Sequence, residues 1–273
     1  MSIQPTGERL TVYYPGLISL EHVHRYAIAC QLAVGKKVLD IACGEGYGSH
    51  LLAKVAHEVT GADINEETVL AARKKYKHQN LIFETASATS LPFPSASFDL
   101  VISFETLEHL AEQEQMIAEC KRVLRPDGLL LISTPDKLNY SDKTGHKNPY
   151  HVKELYRAGF EELLCSVFRY TSVYSQYAGL YSVFCSNNNE GSPMVYTGNF
   201  DQLAPPAEAS APYLIALASD TPLPALPVSL FEDKGLLQQL QQEFADDIRR
   251  TISYRLGHFL LTPFRWIKKL SGN

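Results

Sequence analysis

The sequence is short of the features that mark special classes of protein. Its five cysteines, Cys30, Cys43, Cys120, Cys165 and Cys185, are scattered, with no CxxC pair and no metal-ligand spacing. Neither a disulfide framework nor a structural zinc site is therefore written into the chain, and the thiols read as reduced, mostly buried side chains of a cytoplasmic protein. No uninterrupted apolar run reaches the length of a simple membrane-spanning helix. The first residues hold Pro5, Gly7, Glu8 and Arg9 in place of an apolar core, so no secretory signal is expected. Positive charge is not in excess: 25 Lys and Arg face 30 Asp and Glu, a net charge of −5. That balance argues against a nucleic-acid partner held by bulk electrostatics. The dinucleotide fingerprint G-x-G-x-x-G is missing as well.

What the chain does contain is enough apolar material, 45% of 273 residues, for one large domain with additions. It also contains a strand that runs into a glycine-rich turn. Val38, Leu39 and Ile41 are strand formers, and the run from Asp40 to Gly48 reads D-x-A-C-G-x-G-x-G. Gly44, Gly46 and Gly48 let the backbone turn sharply and approach a ligand closely. The helix that follows, expected over about 46–56, offers free N–H groups and a positive dipole end to that ligand. A second strand ends in Asp63, where a carboxylate can accept two hydrogen bonds from ribose hydroxyls. The alternative is that Asp63 only caps the helix beginning near Asn65.

Strands and helices then alternate. Further strands are expected at about 81–84, 98–103 and 129–133, with helices over 65–77 and 112–124. Arg125-Pro126-Asp127-Gly128 reads as a turn. Such repeated units predict a doubly wound, mostly parallel α/β sheet. Ahead of them, Ser19 can cap a helix over about 20–33. Val23, Ala27, Ile28 and Leu32 would form its apolar face, with His22, His24, Arg25 and Tyr26 on the others. Beyond the fifth strand, a polar segment over 134–149 leaves the carboxyl edge of the sheet, where ligands bind in such folds. A helix to about Leu164, a sixth strand near 168–177, a loop-rich insertion and a seventh strand near 212–218 complete the domain.

Several motifs together resemble the class I S-adenosylmethionine (SAM) methyltransferases, and among them the type 11 family. They are the glycine turn, Leu91-Pro92-Phe93-Pro94 ahead of Phe98-Asp99-Leu100-Val101, the Glu105-x2-Glu108-His109 stretch, and Leu124-Arg125-Pro126-Asp127-Gly128. The resemblance covers about residues 20–135. It implies a Rossmann-like sheet of seven strands, the seventh entering antiparallel between the fifth and sixth, and SAM as cofactor. It implies that Asp40, Ala42, Gly44, Gly46, Asp63 and Ile64 border the cofactor, with Ser87 and Ala88 at the adenine and Ser103 and Phe104 beside the methionine part. A helix before the first strand commonly lids the cofactor in this fold, so Arg25 or Tyr26 is a candidate for the SAM carboxylate; surface decoration is the alternative.

Methyl transfer from a sulfonium needs an aligned nucleophile and an absence of water, so proximity and orientation supply most of the acceleration. A hydroxyl acceptor also needs a base. His109 is the leading candidate. In a helical turn, Glu105, Glu108 and His109 would share one face. That makes either a carboxylate-oriented imidazole or a divalent-metal site, the second resembling quinone-pathway O-methyltransferases; a metal is not required by this reading, and a structural His109 is the third option. His146, Tyr150 and His151 border the acceptor loop as candidate substrate contacts.

The expected organisation is a methyltransferase domain over 1–219, a proline-rich linker over 220–228 and a helical, basic, amphipathic extension over 229–273. A helix of that extension carries Leu237, Leu240, Phe244, Ile248, Ile252, Leu256 and Phe259 on one face. It could pack on the domain or on a second copy as a homodimer, while residues 252–273, basic and bearing Trp266, could lie on the inner membrane surface of a cytoplasmic, peripheral protein. The His22-Val23-His24-Arg25-Tyr26 stretch, the segment from Asn148 to Leu155 and the basic tail resemble bacterial glycan-associated methyltransferases, which implies a sugar hydroxyl as the acceptor. A quinone or small aromatic acceptor is the runner-up, and a non-catalytic SAM-binding assembly subunit is the alternative of another class.

Overall fold

The computed structural model describes residues 17–179, 210–232, 242 and 245–252. In chain order the elements are α1 (Leu17–Ala33), β1 (Lys37–Ile41), α2 (Tyr47–Leu52), β2 (Glu58–Asp63), α3 (Glu66–Lys75), β3 (Leu81–Thr85), β4 (Phe98–Ser103), α4 (Gln113–Val123), β5 (Leu124–Pro135), α5 (Arg157–Cys165), β6 (Tyr170–Gln176) and β7 (Tyr213–Ser219). The seven strands lie in the order β3-β2-β1-β4-β5-β7-β6. β7 runs antiparallel to both its neighbours, and the other pairings are parallel. The expected mixed sheet is the observed one.

Side chains alternate across each strand, so one run of apolar residues serves two cores. Leu39, Ile41, Val101, Leu130 and Ile132 pack with Met116, Ile117 and Phe160 from α4 and α5. Val38, Leu100, Ile102, Leu129 and Leu131 pack with Tyr26, Ala29, Leu52 and Val69 from α1, α2 and α3. This two-sided burial explains why the strands read as continuous hydrophobic runs. Between β1 and β4 the winding direction reverses, and a crevice opens at the carboxyl ends of those two strands.

Four local expectations need correction. The helix after β1 is short, ending at Leu52, because the chain turns at Ala53 and returns to the sheet. Arg125–Gly128 is not a free turn: β5 already begins at Leu124, which pairs with Phe98, while Leu129 pairs with Leu100. The residues between are absorbed as a bulge. The segment after β5 is not wholly irregular, since Leu138–Asp142 forms a wide helical turn, and α5 starts only at Arg157.

The fourth correction concerns α1. Its buried side is Glu21, Arg25, Tyr26, Ala29 and Ala33, whereas the expected apolar face of Val23, Ala27, Ile28 and Leu32 is only half-buried. Polar residues turn inward there because this helix covers the crevice. Residues 220–232 form neither helix nor strand, yet they lie against the domain. Leu223 and Leu226 pack on the second core, and Ser229 Oγ and the Phe231 ring meet His24.

Among the cysteines, Cys43 and Cys120 are buried and Cys165 is exposed; Cys185 lies outside the described residues. The insertion between β6 and β7 and most of the C-terminal extension, including the 253–273 part of the expected membrane contact, also lie outside them. Among the described residues, no helix is long and apolar enough to cross a membrane.

Candidate active site

Two non-glycine residues with left-handed backbone flank the crevice. Ala42 (φ 55°) follows β1 and Glu105 (φ 50°) follows β4. Such conformations cost about 1–2 kcal/mol each and persist where the surroundings impose them. The glycines between Cys43 and Ser49 divide by role. Gly44 (φ 53°) faces open space, so a ligand can approach its backbone. A Cβ on Gly46 would stand 2.7 Å from the Phe83 ring, and one on Gly48 would stand 1.9 Å from the Tyr26 ring. Those two are required by packing.

Asp40 is fully buried beneath this turn. Its carboxylate accepts from Ser49 Oγ (2.6 Å) and Tyr26 Oη (3.1 Å). Burial pushes its pKa up to about 7 despite those two donors. Asp40 therefore braces the turn from within. Asp63 closes the other side: it accepts from Gly44 N (3.0 Å) and Asn65 N (2.9 Å). Asn65, rather than Asp63, caps α3, through Thr68 N. Ile64 is 74% exposed beside it. Ser87 bonds Thr89 through their hydroxyls, and Ala88 packs half-buried against the first core.

At the carboxyl end of β4, Ser103 is buried with its Oγ lacking a hydrogen-bond partner, and the Phe104 ring meets Tyr26 edge-on at 5.1 Å. Arg25 reaches this edge from α1, 1% exposed. Its Nε donates to Gln176 Oε1 (2.6 Å), and its guanidinium lies 4.6 Å from the Tyr213 ring centroid. Its Nη1 is 3.0 Å from Glu105 Oε1, but not aligned for a hydrogen bond. Glu21 joins the cluster, its carboxyl raised to about 7 by burial and by the charge of Glu105, against the pull of Arg25. Buried donors left unmatched at Arg25 and Ser103, beside the open face of Gly44, suit a ligand carrying a carboxylate and other acceptors. The residues present thus fit SAM. Gly44, Asp63, Ser103 and Arg25 would hold it, and it would supply an electrophilic methyl group.

The 105–109 stretch differs from the expected helical face. Its left-handed φ takes Glu105 out of the turn, and only Leu107–His109 is helical. Glu105 Oε1 accepts from Ser133 Oγ (2.6 Å) and turns toward Arg25. Glu108 is buried, accepts from Thr134 Oγ1 (3.1 Å), and is held well above the usual carboxylate range by burial and by Glu105. The third member of its group is His151 instead. Ligand atoms of Glu108, His109 and His151 lie within 4.8 Å of one another.

His109 Nδ1 is 3.1 Å from the Tyr150 carbonyl, and the His109 and His151 rings meet edge-on at 5.1 Å. His151 Nδ1 is 2.5 Å from Glu154 Oε1, and its Nε2 is 2.9 Å from Asn148 Nδ2. Tyr140 stacks on His151, meets His146 edge-on, and lies 5.8 Å from Tyr213. Tyr150 is half-exposed, and its carbonyl reaches the site. Sequence reasoning missed Glu21, Gln176, Tyr213, Tyr140 and Glu154. No motif marks them; they come from separate strands and loops that meet only in the fold.

Residues 39–132 match the Methyltransf_11 family, described as a methyltransferase domain. The chain is 39% identical over 165 residues to a probable S-adenosylmethionine-dependent methyltransferase of Mycolicibacterium smegmatis, covering 58% of this chain and 62% of that one. It is 31% identical over 137 residues to a ubiquinone biosynthesis O-methyltransferase of Actinobacillus pleuropneumoniae, covering 48% and 57%. The chain thus spans less than two thirds of the length of these relatives. Among solved structures, the YcgJ protein of Bacillus subtilis (TM-score 0.51, 18% identity, covering 74% of this chain and 100% of that one) shares the fold. So does a SAM-dependent methyltransferase of Thermotoga maritima (TM-score 0.52, 14% identity, covering 75% and 92%). The chain carries a class I SAM-dependent methyltransferase domain.

Proposed function

We propose that the protein transfers the methyl group of SAM to an acceptor oxygen, with His109 as the base that takes the hydroxyl proton. The observation that supports this is the position of His109. It leaves the carboxyl edge of β4 beside the cofactor crevice and bonds the Tyr150 carbonyl of the segment after β5. One imidazole thus joins the cofactor edge to the segment expected to cover the acceptor. The Glu108 carbonyl fastens that segment further, accepting from Val152 N (2.8 Å) and Lys153 N (3.0 Å). As the acceptor oxygen bonds to the methyl carbon, the carbon–sulfur bond breaks and its electron pair stays on sulfur. The proton goes to the imidazole.

The finer reading is a sugar hydroxyl in bacterial surface-glycan assembly. The polar, aromatic surface of Tyr140, His146, Asn148 and His151 suits a carbohydrate. A quinone-like acceptor is the second reading, favoured by the likeness to a ubiquinone biosynthesis O-methyltransferase. Labelled SAM offered to glycan-lipid and quinone extracts of cells lacking the protein separates the two by where label appears. His109→Gln should slow transfer by about 10²-fold or more. Binding of SAM with no transfer to any extract would favour a non-catalytic assembly subunit. The basic extension is read as a peripheral contact with the inner membrane or with a second copy. Removing 252–273 should abolish sedimentation with anionic vesicles and spare SAM affinity; continued sedimentation rules the tail out as the anchor.

A further inference from the structure

The segment between β5 and α5 bears an open cleft of about 530 Å³, with Lys137, Ser141, Asp142, Lys147, His151 and Glu154 on its wall. Its donors and acceptors are unevenly engaged. Both carboxylates already accept internally: Asp142 from Tyr156 Oη (2.9 Å), and Glu154 from His151 Nδ1 (2.5 Å). Lys137 rests over the Tyr156 ring, 5.0 Å from its centroid. Neither Lys137 nor Lys147 forms an ion pair among the described residues, and the Ser141 hydroxyl has no hydrogen-bond partner there. The surrounding stretch also runs against the chain as a whole. Residues 136–154 hold Lys137, Lys143, Lys147 and Lys153 against Asp136, Asp142 and Glu154, in a protein of net charge −5.

A cleft whose two ammonium groups carry no ion pair, and whose two carboxylates each hold one oxygen on an internal donor, can take an anion rich in acceptors. The cleft is larger than one phosphate needs, and His151 on its wall meets His109. We propose that this cleft binds the phosphate of a phosphorylated acceptor, a sugar phosphate ester or diphosphate, through Lys137, Lys147 and Ser141. The sugar then lies toward His109 with a hydroxyl presented to the crevice. This inference rests on the reading of the segment as the acceptor site, and it names the group by which the acceptor is held.

Calorimetry with inorganic pyrophosphate tests it, run beside S-adenosylhomocysteine on the same protein. Pyrophosphate should bind, and the Lys137→Ala/Lys147→Ala variant should bind it about a hundredfold or more weakly, since two charge-assisted hydrogen bonds are lost. Affinity for S-adenosylhomocysteine should be unchanged, which also shows that the variant is folded. UDP-glucose and vesicles carrying a polyprenyl diphosphate then distinguish a soluble from a lipid-linked sugar; binding of either supports the phosphate. The proposal is overturned if wild-type protein ignores pyrophosphate, or if the double variant binds it as well. Loss of S-adenosylhomocysteine binding in wild-type protein would strike the methyltransferase reading instead, so the two failures are separable.

Discussion

The two sides of the crevice are built on opposite principles. On the cofactor side, the side chains that shape the turn are buried and interlocked: Tyr26 lies over Gly48 and donates to Asp40, and Ser49 donates to the same carboxylate. On the side proposed for the acceptor, Asp142, Gly145, His146 and Lys147 are exposed, and Asn139, Lys143 and Thr144 hold the segment by local hydrogen bonds. The cofactor is one fixed molecule, so its cradle can be set by packing. An acceptor site held at the surface can change residues at little cost to the fold, which suits a domain whose relatives act on different substrates.

The contrast breaks most sharply at Gly48. A methyl group there would overlap the Tyr26 ring and push its hydroxyl off Asp40. Overpacking of about 1–3 kcal/mol adds to the ~1–3 kcal/mol of a buried acceptor left short of a donor. Gly48→Ala should therefore lose about 4 kcal/mol in urea unfolding and most of its SAM affinity. A loss below 1 kcal/mol would mean that the cofactor side is as adaptable as the other.

Arg25→Leu comes next. It strands Glu105 in a largely buried place and removes the donor to Gln176. Breaking one partner of a buried pair costs about 3 kcal/mol or more. SAM affinity should fall further than this stability loss explains, because the SAM carboxylate loses its cation. Unchanged affinity in the folded variant would remove Arg25 from the cofactor site.

The same cluster shows where the sequence was readable. The strands were legible because a sheet buried on both faces selects unbroken runs such as Leu129 to Ile132. The turn was legible because Gly46 and Gly48 have no room for a side chain. α1 was not: its amphipathic pattern points to Val23 and Ile28, but Glu21 and Arg25 are the ones turned inward, onto a polar crevice made by strands far along the chain. The 105–109 site misled for a related reason. Helical spacing would align Glu105 with Glu108 and His109, and the left-handed backbone at Glu105 cannot be seen in residue types. His151 entered the site from another segment, through a fold-level contact that no local spacing encodes.

The pH response should also differ between the two sides. Burial raises the Asp40 carboxyl to about 7 in the folded protein, whereas the unfolded chain releases its proton near the ordinary value of 3.8. Between those values the native state binds more protons, so stability declines as pH rises, by up to ~1.4 kcal/mol per pH unit for one such group. Glu21, raised to about 7, adds in the same direction. Asp40→Asn should flatten the slope measured by denaturant unfolding across that window. Lys147→Ala, on the acceptor side, should leave it unchanged. An unaltered slope in Asp40→Asn would mean that this carboxyl is ionised at neutral pH.

The smallest effect is expected at Gly145. Its backbone is also left-handed, at φ 70°, but a Cβ there would meet nothing within 4 Å. Gly145→Ala therefore isolates the conformational cost, ~1 kcal/mol, with no packing loss beside it. Against the Gly48→Ala result, the difference measures how much of the cofactor side's intolerance comes from neighbours and how much from backbone alone. Affinity for S-adenosylhomocysteine should not move in Gly145→Ala. A stability loss there as large as at Gly48 would show that the acceptor segment is locked into the same cooperative unit as the sheet, and the division between a packed side and an adaptable one would have to be given up.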